Sequence, residues 1–288
     1  MNPVALALLS TLCFGAGMLT ARVGLRHLDA RAGAALSIPS ALLLFLFAAP
    51  FTIDWSGFNT FAVFIFAAVG LFYPASVTLM TFRSNETLGP TVTSAISGTA
   101  PLFAMGAAAL LLGERIPPQA LFAALAVAAG VALLSWRPGT LRGSWPRGAL
   151  LWPVAGAVVR GLAQTGAKAG LLLWASPFAA SVVGYLVSAA AVTGLERSRG
   201  SSRRRANAQA RFWFTLTGLI NGSAMVLMYG ALAGAPVSTV APIIAAYPLV
   251  TAIGSALFLR GERITAPMMA GTLLTVSAIA WLAASRGG

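Results

Sequence analysis

Acidic residues are almost missing from this sequence. Six Asp and Glu residues stand against 19 Lys and Arg residues among 288, and charged residues make up 9% of the chain. Soluble domains carry about 25% charged residues. Together with a hydrophobic fraction of 58% and a mean hydropathy of +0.84, this shortage excludes an ordinary soluble domain and predicts an integral membrane protein.

The residues most used in catalysis and metal binding are also scarce. The single cysteine, Cys13, lies in an apolar run, so an intrachain disulfide is excluded. The single histidine, His27, follows Arg26 between two apolar runs. Neither an HExxH nor a GxSxG motif occurs. The sequence therefore favours a protein that is not an enzyme and that uses no metal or other cofactor.

The strongest feature that is present is an internal repeat. Residues 102–135 align with residues 250–283 at an offset of 148, and 11 of the 34 aligned positions are identical. The identities include the charged tetrapeptide GERI at 113–116 and again at 261–264. Each copy reads as an apolar helix, a short turn and a second apolar helix. The chain is therefore predicted to consist of two related halves.

The apolar runs predict the number of membrane spans, since a transmembrane helix needs about 20 mostly apolar residues. We predict a transmembrane helix in each of ten such runs: 3–22, 32–51, 60–82, 90–112, 118–136, 148–173, 177–195, 212–233, 236–259 and 266–284. Five helices in each half make the second half an inverted-topology repeat of the first. The halves are 1–137 and 148–288, and residues 138–147 are a cytoplasmic connector.

The basic residues predict the orientation. Fifteen of the 19 lie in the connections after odd-numbered spans, Arg115 and Arg286 lie on the opposite side, and two lie within a span. Cytoplasmic connections carry the excess of Lys and Arg in membrane proteins. We therefore expect the odd connections in the cytoplasm, both termini in the periplasm, and no nucleic-acid partner. Binding of RNA or lipid by the Arg-rich residues 196–211 is the less favoured alternative.

Prolines interrupt the two halves at similar places. Pro101 and Pro248 lie 12 and 13 residues before the glycine of their GERI turns. Interruptions at corresponding places of two repeats point to a midplane binding site in transporters. We expect a hinge or kink at both positions, with simple packing kinks as the alternative.

This pattern resembles the EamA family of the drug/metabolite transporter superfamily: ten spans in two halves, each closing with Pro, Gly-Glu-Arg and a small-residue-rich helix. Length and layout are most similar to its YddG-type aromatic amino-acid exporters. The resemblance implies a basket of helices around a central cavity that opens alternately to the two sides of a bacterial inner membrane. It also implies export of amino acids or other metabolites, without fixing which one.

Three polar side chains on the sixth span are the first candidates for a binding site. Arg160, Gln164 and Lys168 are spaced by four residues, which places them on one helical face. A charge near the membrane centre costs at least about 2.5 kcal/mol, and no Asp or Glu is predicted inside a span. We predict that this strip binds a substrate carboxylate. The alternatives are a structural role for Arg160 on backbone carbonyls and snorkelling of Lys168 to the surface.

Polar and aromatic residues of other spans complete the predicted site. They are Tyr73, Ser94, Ser97, Asn221, Tyr229 and Tyr247. With Met225 and Met228 as apolar surface, they suit a small amphipathic metabolite, above all an aromatic or other bulky apolar amino acid. Export of lipophilic cations or nucleosides is the alternative, and the lack of an acidic residue within a span disfavours the cations. The expected partners are this small molecule and the lipid bilayer, and the expected state is a monomer.

Overall fold

The protein is all-helical over the residues whose structure is described. The computed structural model describes residues 2–77, 80, 84, 87–88, 93, 96–134, 136, 148–198, 206–258 and 265–285, and no strand occurs among them. The helices are α1 (Pro3–Gly24), α2 (Ala30–Thr52), α3 (Thr60–Phe72), α4 (Ala100–Leu112), α5 (Pro118–Leu134), α6 (Leu151–Leu173), α7 (Pro177–Ser198), α8 (Ala208–Gly234), α9 (Val237–Ile244), α10 (Tyr247–Phe258) and α11 (Ala266–Ala284).

Asparagine and aspartate side chains determine where four of these helices begin. Such side chains accept hydrogen bonds from the free N–H groups of a first helical turn. Asn2 accepts from Val4 in α1, and Asp29 accepts from Arg31 and Ala32 in α2. Asn59 and Asn207 do the same for α3 and α8. The few polar residues between apolar runs therefore fix the helix boundaries.

Several helices are long and apolar enough to cross a bilayer. Within the described ranges there are seven such segments: Pro3–Gly24, Arg31–Thr52, Thr60–Val77, Pro177–Gly194, Ala208–Gly234, Val237–Leu257 and Ala266–Ala284. Helices α4 and α5 are apolar but shorter, with 13 and 17 residues, and α6 has 23 residues with two charges. The protein is therefore a multi-pass membrane protein. The number of ten spans and their grouping into two halves remain predictions.

The outer surface of the helices suits a lipid environment. Leu110, Phe51 and Phe47 are 87%, 83% and 78% exposed. Apolar surface in water costs about 25 cal/mol per Å², whereas lipid chains are themselves apolar. These side chains therefore belong in contact with the bilayer.

Small residues bring the helices into backbone contact. A Cβ atom on Gly70 of α3 would lie 2.5 Å from the carbonyl oxygen of Gly184 in α7. A Cβ atom on Gly271 of α11 would lie at the same distance from the carbonyl oxygen of Gly130 in α5. Close approach through small residues is the usual way in which membrane helices associate. Around these contacts, α1 packs on α8 and α10, and α6 packs on α3 and α4.

Prolines begin helices more often than they bend them. We expected Pro101 and Pro248 well inside spans, but each is the second residue of a helix, α4 or α10. Proline fits there because the first turn has no partner for its missing N–H, and because it disfavours helical geometry in the residue before it. The predicted ninth span is accordingly two helices, α9 and α10, separated by Ala245 and Ala246. Pro39, by contrast, lies inside the continuous α2.

Candidate functional site

Helix α6 carries three polar side chains into the protein interior. Gln164 and Lys168 are 7% and 8% exposed, and Arg160, two turns before Lys168, is half-buried. The neighbouring positions on this helix are small and buried, including Gly161, where a Cβ atom would lie 2.6 Å from the backbone nitrogen of Ala104. Close packing against α4 therefore holds the strip in place.

Arg160 meets Tyr247 at the break between α9 and α10. Its Nη1 donates a hydrogen bond to the Tyr247 hydroxyl at 2.9 Å, and its Cζ lies 5.8 Å from the centre of the tyrosine ring. Its Nε is buried and has no hydrogen-bond partner among the described residues. Among the described residues no carboxylate forms an ion pair with this guanidinium, which interacts electrostatically with Tyr247 and Tyr73. A buried guanidinium with unpaired donors can bind an anion.

The break itself is stabilised by α1. The carbonyl oxygen of Ile243 accepts from the backbone N–H of Ala246 at 3.2 Å, and Thr11 Oγ1 of α1 lies 2.9 Å from it. Inside a membrane, carbonyls that a helix break releases need partners from neighbouring helices. Thr11 supplies one, so Tyr247 is held at a fixed point at the start of α10.

Lys168 has partners within the protein. Its Nζ donates to the carbonyl oxygens of Leu232 at 2.7 Å and Ala235 at 3.1 Å, where α8 ends. Lysine near a helix C-terminus satisfies the last carbonyls and opposes the helix dipole. Lys168 also interacts electrostatically with Glu114. The Lys168 ammonium therefore caps the end of α8. A contact between Lys168 and the substrate remains a prediction.

The first GERI turn, residues 113–116, lies near Lys168 and the start of α9. Gly113 ends α4 with a φ of 66°, and the next N–H, that of Glu114, donates to the carbonyl of Ala108 at 3.2 Å. Oε1 of Glu114 accepts from the N–H of Val237, the first residue of α9, at 3.2 Å. The second copy of the turn, residues 261–264, lies outside the described residues.

The sequence matches a model of a known protein family. The model of the EamA-like transporter family matches residues 1–136 and 147–284. This chain belongs to the EamA-like transporter family. The family consists of membrane transporters of small molecules, not enzymes. The sequence of this EamA-like transporter matches no curated protein.

The fold of this EamA-like transporter also occurs in a solved structure. That structure, described only as "Crystal structure of protein", superposes with a TM-score of 0.78 over 98% of each chain. The two sequences are 14% identical. The likeness therefore shows a shared fold and carries no substrate with it.

The remaining predicted residues of the EamA-like transporter are spread over several helices. Tyr229 of α8 is 4% exposed, and Tyr73, directly after α3, is half-buried. Asn221 packs against Gly17 of α1, where a Cβ atom would meet its Oδ1. Ser97 lies half-buried just before α4. Ser94 and the connector 138–147 lie outside the described residues.

Sequence reasoning missed Tyr185. This tyrosine of α7 is 4% exposed, packs edge-on against Phe45 with ring centres 5.1 Å apart, and lies in the same hydrophobic core as Tyr229. The available signal was a polar hydroxyl in an otherwise apolar run. The chain has four tyrosines. Tyr185 and Tyr229 lie in one hydrophobic core against which Tyr73 packs, and Tyr247 is bonded to Arg160.

Proposed function

We propose that this protein exports small metabolites from the cytoplasm, with aromatic and other bulky apolar amino acids as the main substrates. In this proposal it is a YddG-type exporter of the bacterial inner membrane. Its two inverted five-helix halves, 1–137 and 148–288, form a central cavity that opens alternately to each side. Both termini lie in the periplasm, and the protein acts as a monomer.

The observation that carries the proposal is the half-buried Arg160. Its guanidinium has a single hydrogen bond to the described residues, to Tyr247, and no carboxylate among them neutralises it. A charge in this environment is costly unless a partner is supplied. A substrate carboxylate supplies one, because guanidinium and carboxylate form paired, charge-assisted hydrogen bonds.

The apolar part of the substrate has suitable surroundings. Met225 and Met228 of α8 are 2% and 1% exposed and belong to the same core as Tyr229. Methionine adapts to irregular shapes and makes favourable contacts with aromatic rings. Aromatic and methionine side chains beside a cation suit an amphipathic carboxylate better than a sugar or an inorganic ion.

Alternating access needs places where helices change direction. Pro101 and Pro248 are the second residues of α4 and α10, and each of these helices begins directly after a turn. These are the hinge positions in the proposal. Interrupted helices of this kind commonly line the binding sites of transporters.

Counterflow in proteoliposomes tests the proposal. Purified protein would be reconstituted with internal phenylalanine, and uptake of external labelled amino acids, nucleosides and quaternary ammonium dyes would be compared with empty liposomes. We expect uptake of aromatic and bulky apolar amino acids. Rejection of every amino acid would overturn the proposal, and efficient uptake of quaternary cations would establish the drug-exporter alternative.

A further inference from the structure

Contacts between α3 and α7 place Tyr73 and Tyr185 together. Gly70 of α3 touches Gly184 of α7 through backbone atoms. One turn further along α7, the Ser188 hydroxyl donates to the carbonyl of Gly70 and lies 3.4 Å from that of Tyr73. Tyr185 follows Gly184 directly, so the turn that carries Tyr185 lies against the end of α3 that carries Tyr73.

The other two tyrosines lie close to this pair. Tyr185 and Tyr229 belong to the same hydrophobic core, against which Tyr73 packs. Tyr73 is also near enough to Arg160 for its charge to act on the phenol, and Arg160 is bonded to Tyr247. The five residues come from five places in the chain: the end of α3, and helices α6, α7, α8 and α10. They therefore line a common region next to the Arg160 guanidinium.

Most of the polar groups in this region have no hydrogen-bond partner among the residues that the structure describes. Within the described part of the chain, the hydroxyls of Tyr73, Tyr185 and Tyr229 make no hydrogen bond, unlike that of Tyr247. The Gln164 amide, one turn from Arg160 on the same face of α6, also makes none. None of these groups is among the polar atoms that packing seals completely. Buried polar groups are nearly always hydrogen-bonded, so a ligand or water is needed here.

The chemistry of these groups selects the ligand. Three phenols and one amide are uncharged, and each offers an oxygen that accepts hydrogen bonds. The faces of tyrosine rings also attract cations. A second anionic group would gain no cation here, since Arg160 already pairs with the first. An ammonium group, with three N–H donors and a positive charge, satisfies these acceptors.

We propose that Tyr73, Tyr185, Tyr229 and Gln164 bind the ammonium group of a zwitterionic amino acid whose carboxylate lies on Arg160. This inference rests on the proposed function and adds the requirement for an α-amino group. It assigns the two ends of the substrate to different residues. The carboxylate is bound by Arg160 of α6, beside Tyr247 of α10, and the ammonium by Gln164 one turn along α6, by Tyr73 at the end of α3, and by Tyr185 and Tyr229 of α7 and α8.

Binding of three related ligands tests the assignment. Affinities of phenylalanine, 3-phenylpropionate, which lacks the ammonium, and phenethylamine, which lacks the carboxylate, would be measured by calorimetry on detergent-solubilised protein. Hydrogen bonds to a charged group change affinity by about tenfold or more. We expect wild type to bind phenylalanine at least about tenfold more tightly than 3-phenylpropionate. In the triple variant Tyr73→Phe, Tyr185→Phe and Tyr229→Phe, this ratio is expected to fall below about threefold.

Tyr247→Phe is the matched control. It makes the same chemical change at the tyrosine that contacts the carboxylate-binding Arg160. We expect it to weaken phenylalanine and 3-phenylpropionate by the same factor and to leave their ratio unchanged. Thermal unfolding of all variants would verify that the hydroxyl deletions preserve the fold, and the single Tyr→Phe variants replace the triple variant if it does not fold.

The possible failures are distinct. Equal affinity of wild type for phenylalanine and 3-phenylpropionate would overturn the ammonium site and leave a carboxylate carrier standing. A ratio that the tyrosine variants leave unchanged would place ammonium recognition elsewhere. Absence of binding for both carboxylates would overturn the proposed function itself.

Discussion

Arg160 and Tyr247 connect the middle of α6 to the first residue of α10 by a hydrogen bond of 2.9 Å. The bond lies where α9 and α10 are separated, beside a proline that begins the second helix. The Arg160 guanidinium therefore contacts the protein at the break between α9 and α10. A substrate carboxylate bound to Arg160, as proposed, would act directly on a position where the backbone changes direction.

Replacement of Arg160 tests its role as the carboxylate site. We expect Arg160→Ala to fold and to lose amino-acid counterflow by about tenfold or more, since a charge-assisted hydrogen bond contributes about 1.5–3 kcal/mol. Arg160→Lys is expected to restore only part of the activity, because lysine cannot make a two-pronged contact. Counterflow by Arg160→Ala equal to that of wild type would show that Arg160 is structural.

Replacement of Lys168 is expected to affect stability. Lys168→Met leaves the carbonyls of Leu232 and Ala235 without their donor, and an unsatisfied buried polar group costs about 1–3 kcal/mol. We expect a lower thermal unfolding temperature in detergent. Arg115→Gln removes an exposed charge from the connection that carries Glu114 and is expected to change stability by less than about 0.5 kcal/mol. Equal effects of the two substitutions would contradict the capping role.

Gly106 inside α4 and Gly113 directly after it form a matched pair for substitution. Neither has an atom within 4 Å of an added Cβ, but Gly113 has a φ of 66°. Left-handed geometry costs a non-glycine residue about 1–2 kcal/mol, so Gly113→Ala is expected to destabilise the protein. Gly106→Ala lies inside the helix and is expected to be neutral or stabilising by up to about 1 kcal/mol. Thermal unfolding of both variants checks the difference in sign.

Gly70 and Gly194 give a second pair, for helix packing. An alanine at Gly70 forces apart the backbones of α3 and α7, whereas an added Cβ at Gly194 meets nothing within 4 Å. Overpacking of a close contact costs about 1–3 kcal/mol. We expect Gly70→Ala to reduce the yield and thermal stability of folded protein, and Gly194→Ala to match wild type. Tolerance of alanine at Gly70 would mean that α3 and α7 separate easily.

The predicted orientation is open to chemical labelling. In a Cys13→Ala background, a cysteine introduced at Ser201 is expected to resist a membrane-impermeant maleimide in intact cells and to react after the cells are opened. This follows from the excess of basic residues in the odd connections. Labelling in intact cells would show that the odd connections face the periplasm, which contradicts the predicted orientation.

Apolar runs made the helical fold and the membrane location predictable from the sequence. The four-residue spacing also identified Arg160, Gln164 and Lys168 as one face of α6. Two aspects depended on contacts across the fold. Glu114 bonds to Val237, 123 residues away, and no local pattern distinguishes that helix from the adjacent α5. Tyr185 acquires its significance only from the Gly70–Gly184 contact, which places two tyrosines together.

The last part of α6 is fastened on two sides. Lys168 donates to the end of α8, and one residue after the helix the Trp174 Nε1–H donates to the carbonyl of Asp54 at 3.1 Å. The side chain of Asp54 accepts a hydrogen bond from the N–H of Ser56 at 2.8 Å, and hydrogen bonds from Ser56 lower the pKa of the Asp54 carboxyl. Any motion that carries this end of α6 away from α8 must break the Lys168 bonds. Two turns earlier on the same helix, Arg160 has one hydrogen bond among the described residues, to Tyr247, so the two ends of the polar strip differ in how firmly the protein holds them.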